Sequence, residues 1–173
     1  GEVGTFIRNG VIVTLSVLAL QFCTIIPAAY VLARKRFRLQ GLCFTIVLAA
    51  LIIPQHVVAI PLFMAAGKLN LLNTLPVLII PFVTSALGIF LLRQHFKTIP
   101  QDIIDAARID GAGEIYTLWR ILVPQILPAL AAFSIFSIVY HWDEFFWPLL
   151  VISDMGLATP PLGISLFASD GGG

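Results

Sequence analysis

Long apolar runs separated by short charged segments are the dominant pattern of this chain. Four stretches contain no Asp, Glu, Lys or Arg: Asn9 to Ala33, Leu39 to Gly67, Leu69 to Leu92 and Ile121 to Trp142. A helix needs about 20 mostly apolar residues to cross the hydrocarbon core of a bilayer, and each stretch is at least that long. The pattern therefore predicts an all-α, polytopic membrane helix bundle of about four spans.

Prolines modify this simple reading in two places. Pro54 and Pro61 interrupt the second run, and proline within a helix removes a backbone hydrogen bond, so we expect a kinked helix there or a separate short helix around Ile60 to Gly67. Beyond Asp143, the apolar pieces 145–153 and 155–169 are short or broken by prolines. We expect these two pieces to form an interfacial or re-entrant segment.

Composition excludes a soluble domain. Hydrophobic residues make up 59% of the chain and charged residues 11%, with a mean hydropathy of +1.00. A chain of 173 residues cannot bury that much apolar surface in a water-soluble core, so lipid must solvate it. The net charge of +1 gives no indication of a nucleic-acid partner. We therefore predict a single transmembrane domain over residues 1–173.

The positive charges are unevenly distributed. Eight of the ten lysines and arginines lie in two of the loops between runs, and cytoplasmic loops carry such an excess. The two loops are 34–38 and 93–120, and we expect both in the cytoplasm. Four spans with both of these loops in the cytoplasm place both ends of residues 1–173 on the outer side of the membrane.

A charged amphipathic segment, residues 98–124, lies in the second of these loops. Thr98 and Gln101 have capping-box spacing, and Pro100 falls in a first helical turn, which predicts a helix to about Asp110. At 100° per residue one face carries apolar side chains and the other carries charged ones. The apolar face is Ile103, Ile104 and Ala107, and the charged face is Asp102, Asp105 and Arg108.

Two glycines follow this predicted helix. Gly111 and Gly113 should break it, since glycine adopts positive φ freely. A second helix is then predicted, with Thr117 on its polar side and with an apolar stripe at i, i+3, i+4 and i+7. That stripe, expected to pack on the membrane bundle or to lie in the interface, is Ile115, Leu118, Trp119 and Leu122.

Motifs of catalysis and cofactor binding are missing from the sequence. Gly111-Ala112-Gly113 does not continue to G-x-G-x-x-G, because Tyr116 occupies the third position, and no P-loop lysine follows. The acids beside His141 would point to different faces of a helix rather than converge on a metal. We therefore predict that the chain is not an enzyme and holds no cofactor or metal.

The 98–124 segment resembles the EAA loop of inner-membrane permease subunits of binding-protein-dependent ABC importers. The matching residues are Asp105, Ala106, Ala107, Gly111, Ile121 and Pro124. The surrounding sequences at 90–94, 107–111 and 142–145 are similar to the MalG-like branch, which imports carbohydrates and glycerol phosphates, and the resemblance extends from about Asn9 to Leu166. Asp105 departs from the usual Glu, and Asp143 lies where Asn is common.

The resemblance implies a function and a set of partners. It implies a type I importer fold in the bacterial inner (cytoplasmic) membrane, a dimer of ABC ATPase subunits, a second permease subunit and a periplasmic or extracellular solute-binding protein. The six matching residues would form the coupling contact with the ATPase: its cleft would receive the first loop helix, Asp105 would pair with a cation, and Ala106 and Ala107 would allow close approach. ATP hydrolysis would belong to that separate subunit.

Such permeases have six spans, so we expect residues 1–173 to be a fragment lacking about one span at each end, with Gly171 to Gly173 as a possible scar. A sugar or glycerol phosphate is the expected solute, and aromatic side chains at 142–147 would suit stacking on a sugar near the outer mouth. Two alternatives remain open. The chain could be a stand-alone secondary transporter, or the 98–124 segment could only anchor it at the interface.

Overall fold

The computed structural model describes residues 2–170. These residues are mostly helical and contain no strand, which confirms the all-α prediction. The possible scar at 171–173 lies outside the described residues. Two compact units divide the chain. The first unit comprises Gly1–Leu20, Pro54–Val83 and Phe136–Gly173, and the second comprises Gln21–Ile53 and Thr84–Ile135.

The helices follow the apolar runs, with additional breaks. In chain order they are α1 (Glu2–Arg34), α2 (Gln40–Ile52), α3 (Gln55–Lys68), α4 (Leu75–Ile79), α5 (Ala86–Thr98), α6 (Gln101–Ile109), α7 (Glu114–Tyr116), α8 (Val123–Gln125), α9 (Leu127–Asp143), α10 (Phe146–Val151) and α11 (Pro160–Asp170). Short 3₁₀ turns occupy Ile80–Phe82 and Met155–Leu157, and a π-helix occupies Thr117–Leu122.

Membrane-spanning length is reached without interruption once in the described part of the chain. α1, with 33 residues, is long and apolar enough to cross a bilayer. Each of the other three apolar runs is divided into two helices. If the two helices of each divided run form one span, the number of spans rises to four. The four-span topology and its orientation stay predictions.

The break in the second run lies at Pro54. Proline drives the residue before it into an extended conformation, and Ile53 has a ψ of 118°. α2 therefore ends at Ile52, and α3 begins at Gln55. The run is therefore not one kinked helix; a separate helix does follow the break, but it begins at Gln55 and continues through Pro61 rather than starting around Ile60.

The third run is not the continuous helix expected over Leu69 to Leu92. Helix begins again only at Leu75, after two asparagines with positive φ, Asn70 and Asn73. A second break precedes α5, where the Ser85 side chain accepts a hydrogen bond from the Gly88 N–H at 3.2 Å. A serine N-cap satisfies an otherwise unpaired donor of the helix start, which favours beginning a new helix there.

The first unit has an apolar core that includes Trp147. This side chain is only 2% exposed, and its Nε1–H donates to the Val77 carbonyl at 2.9 Å. Asn9, buried on α1, donates through Nδ2 to the carbonyls of Gly156 and Ala158, at 2.9 and 3.1 Å. The expectation that residues 142–147 offer their aromatic rings to a sugar is therefore wrong for Trp147, whose ring and N–H are used in folding.

The second unit combines a close-packed core with a helix, α2, that contacts α5 but buries none of its residues. A Cβ on Gly88 of α5 would lie 2.8 Å from an Ile25 side-chain atom and 2.9 Å from the Phe133 ring, so these helices approach as closely as glycine allows. α2, in contrast, contains no buried residue although its sequence is strongly apolar. A soluble protein rarely leaves such a surface uncovered, so α2 is suited to contact lipid or another subunit.

Candidate functional site

α6 presents one buried face and one exposed face, as predicted. Ile104 and Ala107 are 3% and 5% exposed, and they anchor the helix to the second unit. Asp105, Ala106 and Arg108 are exposed on the other side. The outward face thus combines a carboxylate with a side chain small enough to let another backbone approach closely.

The start of α6 is held by an arginine rather than by the predicted capping box. Thr98 donates to the His95 carbonyl at 2.8 Å, and the N-cap, Pro100, makes no side-chain capping bond. Arg34, the last residue of α1, instead donates from Nη1 to Gln101 Oε1 at 3.3 Å. The same guanidinium also donates to backbone carbonyls just before α6. Arg34 therefore binds both the segment that leads into α6 and the first residue of that helix.

Asp105 is oriented by neighbours on its own helix. Its Oδ1 accepts a hydrogen bond from Gln101 Nε2 at 3.1 Å and lies 3.7 Å from Arg108 Nη1. The Asp105 side chain is 51% exposed, so the carboxylate is held outward and in reach of a partner. Both of these contacts use Oδ1, which leaves Oδ2 as the oxygen best placed to receive an external donor.

Gly111 ends α6 in a Schellman motif. The Ala112 N–H donates to the Ala107 carbonyl at 2.9 Å, and the Gly111 N–H donates to the Arg108 carbonyl at 3.0 Å. Gly111 has a φ of +77°, the left-handed conformation that this motif requires after the helix. Gly113 differs, with a φ of −69° as the N-cap of α7. The predicted glycine break is confirmed for Gly111, and the positive φ expected at Gly113 is wrong.

The second loop helix buries a different set of side chains from the predicted stripe. Leu118 and Leu122 are buried as expected, but Ile115 and Trp119 are 78% and 43% exposed. The π-helix Thr117–Leu122 explains the difference, since its wider turn breaks the 3.6-residue spacing on which the stripe depends. Thr117, expected on the polar side, is buried, and its Oγ1 donates to the Gly113 carbonyl at 3.0 Å.

A concave pocket of about 600 Å³ lies at the turn between the two loop helices. Three of the six predicted coupling residues line it, namely Ala107, Gly111 and Ile121. Asp105 and Ala106 lie on the exposed face of α6. Pro124 is exposed in α8, just before the 79° bend between Glu114–Gln125 and α9. The structure thus places all six residues in the loop, and their coupling role stays a prediction.

Residues that the sequence analysis used only for topology also belong to this site. Lys35 forms an ion pair with Glu114 of α7, while the adjacent Arg34 contacts Gln101 of α6. The end of α1 therefore contacts the first residue of both loop helices. In the sequence these two cations are indistinguishable from Arg36 and Arg38. Within residues 2–170, no group of three or more His, Cys, Asp or Glu side chains could hold a metal ion.

Residues 25–169 match the family described as binding-protein-dependent transport system inner membrane component. The chain belongs to this family. The match includes the whole 98–124 loop and its pocket, and it agrees with the permease resemblance inferred from the loop motif. Membership accounts for the apolar helices, since the family description is that of an inner membrane component.

Curated members of the family include two informative relatives. The sn-glycerol-3-phosphate transport system permease protein UgpE of Yersinia pestis bv. Antiqua is 32% identical over 169 residues, covering 98% of this chain and 60% of the relative. The arabinooligosaccharides transport system permease protein AraQ of Bacillus subtilis is 34% identical over 154 residues, covering 89% and 54%. This chain therefore spans somewhat more than half the length of either relative. Both relatives are named as transport permeases, not as enzymes.

A solved structure has the same fold. It is described as the crystal structure of a bacterial ABC transporter involved in the import of the acidic polysaccharide alginate. The TM-score is 0.87 and the sequence identity 26%, and the alignment covers 98% of this chain and 59% of the solved chain. The permease fold of this family member is thus shared with a chain of an ABC importer.

Proposed function

We propose that this protein is a membrane-spanning permease subunit of an ATP-driven solute importer, forming half of the translocation path and coupling to a separate ATPase through residues 98–124. One observation carries the proposal. α6 is anchored by a buried apolar face, it presents Asp105 and Ala106 outward, and it is followed by a pocket that no side chain of the loop fills. Family membership and the ABC importer fold support it over a stand-alone secondary transporter.

The surroundings of the pocket are suited to a protein partner. Ile109, Ile115 and Tyr116 are 86%, 78% and 59% exposed, so the loop that carries Asp105 also exposes several large apolar side chains, of which Tyr116 lines the pocket. An apolar centre with a charged rim is the usual composition of a protein interface. An ATPase subunit that covered these side chains and offered a cation to Asp105 would bury the apolar area and gain a directed contact.

Transport then follows from the attachment of the loop. α6 is connected directly to α5, and the second loop helix continues through a bend into α9. A partner that moves α6 therefore pulls on helices of the membrane domain. Closure of an ATPase dimer would favour one of two states of the path, inward-facing or outward-facing, by binding that state more tightly. A second permease subunit and a solute-binding protein complete the proposed assembly.

The proposed solute is a sugar or a glycerol phosphate. This part rests on the relatives, which are named for sn-glycerol 3-phosphate and for arabinooligosaccharides. The buried Trp147 does not contribute to it.

Purification and uptake test the proposal together. The intact gene product, tagged at its chromosomal copy, is extracted in mild detergent and analysed for accompanying subunits. We expect an ATP-binding subunit and ATP hydrolysis that depends on it. Uptake of radiolabelled sn-glycerol 3-phosphate and of arabinotriose is then compared between the wild-type and deletion strains. A protein that purifies alone and transports without ATP would contradict the proposal.

The proposed location is the bacterial inner membrane, with several spans and with both cation-rich loops in the cytoplasm. Single cysteines at positions 36 and 108, in a background without Cys23 and Cys43, should react only with reagents that enter the cell. Cysteines at 68 and 142 should react from outside. Modification of position 36 or 108 by an impermeant reagent in intact cells would contradict this orientation.

A further inference from the structure

Two arginines of the second unit reach across to each other's helix ends. Arg34, at the end of α1, donates from Nε and Nη2 to the Phe96 carbonyl of α5, at 2.9 and 2.5 Å, and also from Nη2 to the Ile99 carbonyl. Arg93 of α5 donates from Nε to the Leu32 carbonyl of α1 at 3.0 Å. Each helix therefore supplies the cation that binds the last turn of the other.

The physical chemistry of helix ends explains why this arrangement is stable. The last four carbonyls of a helix lack partners within it, and the partial negative charge at that end favours a cation. Two side chains of α2 support the contact between Arg93 and Leu32. Arg93 lies 3.6 Å from the centre of the Phe44 ring, and Gln40 Nε2 donates to the same Leu32 carbonyl at 2.9 Å.

The contacts of Arg34 continue into the coupling helix. Its Nη1 donates to Gln101 Oε1, and Gln101 Nε2 in turn donates to Asp105 Oδ1. A short polar chain therefore runs from the end of α1 to the carboxylate that we propose contacts the ATPase. α5 is joined to α6 by the backbone, whereas α1 is far away in the sequence and reaches α6 through noncovalent contacts alone.

We propose that Arg34 and Arg93, with the carbonyls of Leu32, Phe96 and Ile99, form a clasp that makes the end of α1 move together with α5 and α6. In this proposal Arg34 is a positioning residue: it contacts neither solute nor nucleotide, and it carries movement of the coupling helix into α1. The inference rests on the proposed function, because it assigns α1 a part in the same coupling step.

The decisive variant is Arg34→Lys. Lysine keeps the positive charge, and with it the expected orientation in the membrane, but it loses the planar fork that reaches two carbonyls and an amide oxygen at once. Arg36→Lys is the matched control, since Arg36 is exposed two residues further on. A hydrogen bond to a charged group contributes enough for its loss to change an equilibrium by about tenfold.

Hydrogen exchange of the purified intact protein measures the positioning itself. We expect amides of residues 101–109 to exchange about tenfold faster in Arg34→Lys than in the wild type, and at the wild-type rate in Arg36→Lys. Equal exchange in the wild type and Arg34→Lys would overturn the clasp. This measurement needs neither solute nor ATPase, so it tests the clasp even if the protein purifies without an ATP-binding subunit. The absence of that subunit would contradict the proposed function and not the clasp.

Solute uptake per ATP hydrolysed distinguishes coupling from a merely structural contact. With the ATPase still bound, we expect this ratio to fall about tenfold in Arg34→Lys and to stay unchanged in Arg36→Lys. Faster exchange with an unchanged ratio would overturn the coupling role. If the Arg34→Lys protein does not accumulate in cells, Gln101→Ala replaces it, because Gln101 is exposed and its loss should not prevent folding. Gln101→Ala should lower the amount of solute taken up per ATP hydrolysed. An unchanged amount would refute the chain of hydrogen bonds from Arg34 to Asp105.

Discussion

Gly111→Ala isolates the backbone conformation of the coupling turn from every other property of the site. A Cβ built on Gly111 would meet no atom within 4 Å, so the substitution causes no collision. It also removes no side chain and changes no charge. What remains is the φ of +77°, a conformation that glycine adopts freely and that other residues avoid.

The size of the effect follows from that conformation. A left-handed residue other than glycine costs roughly 1–2 kcal/mol. The turn could avoid this cost only by leaving positive φ, and it would then lose the two hydrogen bonds from Gly111 and Ala112 to the end of α6, each contributing about 1 kcal/mol. Both routes destabilise the docking conformation by a similar amount. We therefore expect ATPase binding to weaken about 5- to 30-fold.

Titration of the purified protein with the proposed ATPase subunit in detergent measures this change directly. Gly113→Ala is the matched control: it is the same substitution two residues away, also with open space around its Cβ, but at a φ of −69°. It should lose less affinity than Gly111→Ala, since its φ suits any residue and the remaining cost is that alanine is a poorer N-cap than glycine, by less than about 1 kcal/mol. Wild-type affinity in Gly111→Ala, or equal losses in both variants, would refute the reasoning.

Three further predictions concern the same loop. Asp105→Lys replaces an attraction by a repulsion of several kcal/mol at the proposed contact, so it should abolish ATPase copurification without affecting membrane insertion. Asp105→Glu should be tolerated. Normal copurification of the lysine variant would indicate that the 98–124 segment only anchors the chain at the interface. Glu114→Lys should lower the free energy that protects amides 114–118 from exchange by no more than about 1 kcal/mol, which is about fivefold faster exchange, and the double variant with Lys35→Glu should restore the wild-type rate. Thr117→Ala should destabilise the π-helix by about 1 kcal/mol, because it removes the hydrogen bond to the Gly113 carbonyl; exchange of the same amides measures this, and no change would show that the bond contributes nothing.

The sequence was sufficient wherever a local rule dominates. Apolar runs and low charge determined the all-α membrane class, because a spanning backbone must satisfy its own hydrogen bonds and continuous runs of about 20 apolar residues are the length of a spanning helix. The faces of α6 followed from its helical period, since Ile104 and Ala107 lie one turn apart. Gly111 could be recognised as a break because no other residue type adopts its conformation so readily.

Other features depended on neighbours that the sequence does not reveal. The predicted stripe of the second loop helix is buried only at Leu118 and Leu122, because Thr117–Leu122 is a π-helix and a change of helical period has no simple local signal. The capping box failed because the Thr98 hydroxyl donates back to the His95 carbonyl, and Gln101 Oε1 accepts from a distant arginine instead of from the Thr98 N–H. The third run is divided before α5 because the Ser85 side chain caps the start of a new helix there, although the surrounding sequence remains apolar.

The sequence alone therefore determined which elements form the site: an amphipathic helix, a glycine turn and six residues of a family motif. What only the tertiary structure decided is how that helix is held. Arg34 and Lys35 belong to a run of cations whose only evident role in the sequence is to set the membrane orientation. In the folded protein Arg34 contacts Gln101 at the start of α6, and Lys35 forms an ion pair with Glu114. The physical reason is that hydrogen bonds to backbone carbonyls depend on where helices end in space, and no residue identity encodes that position.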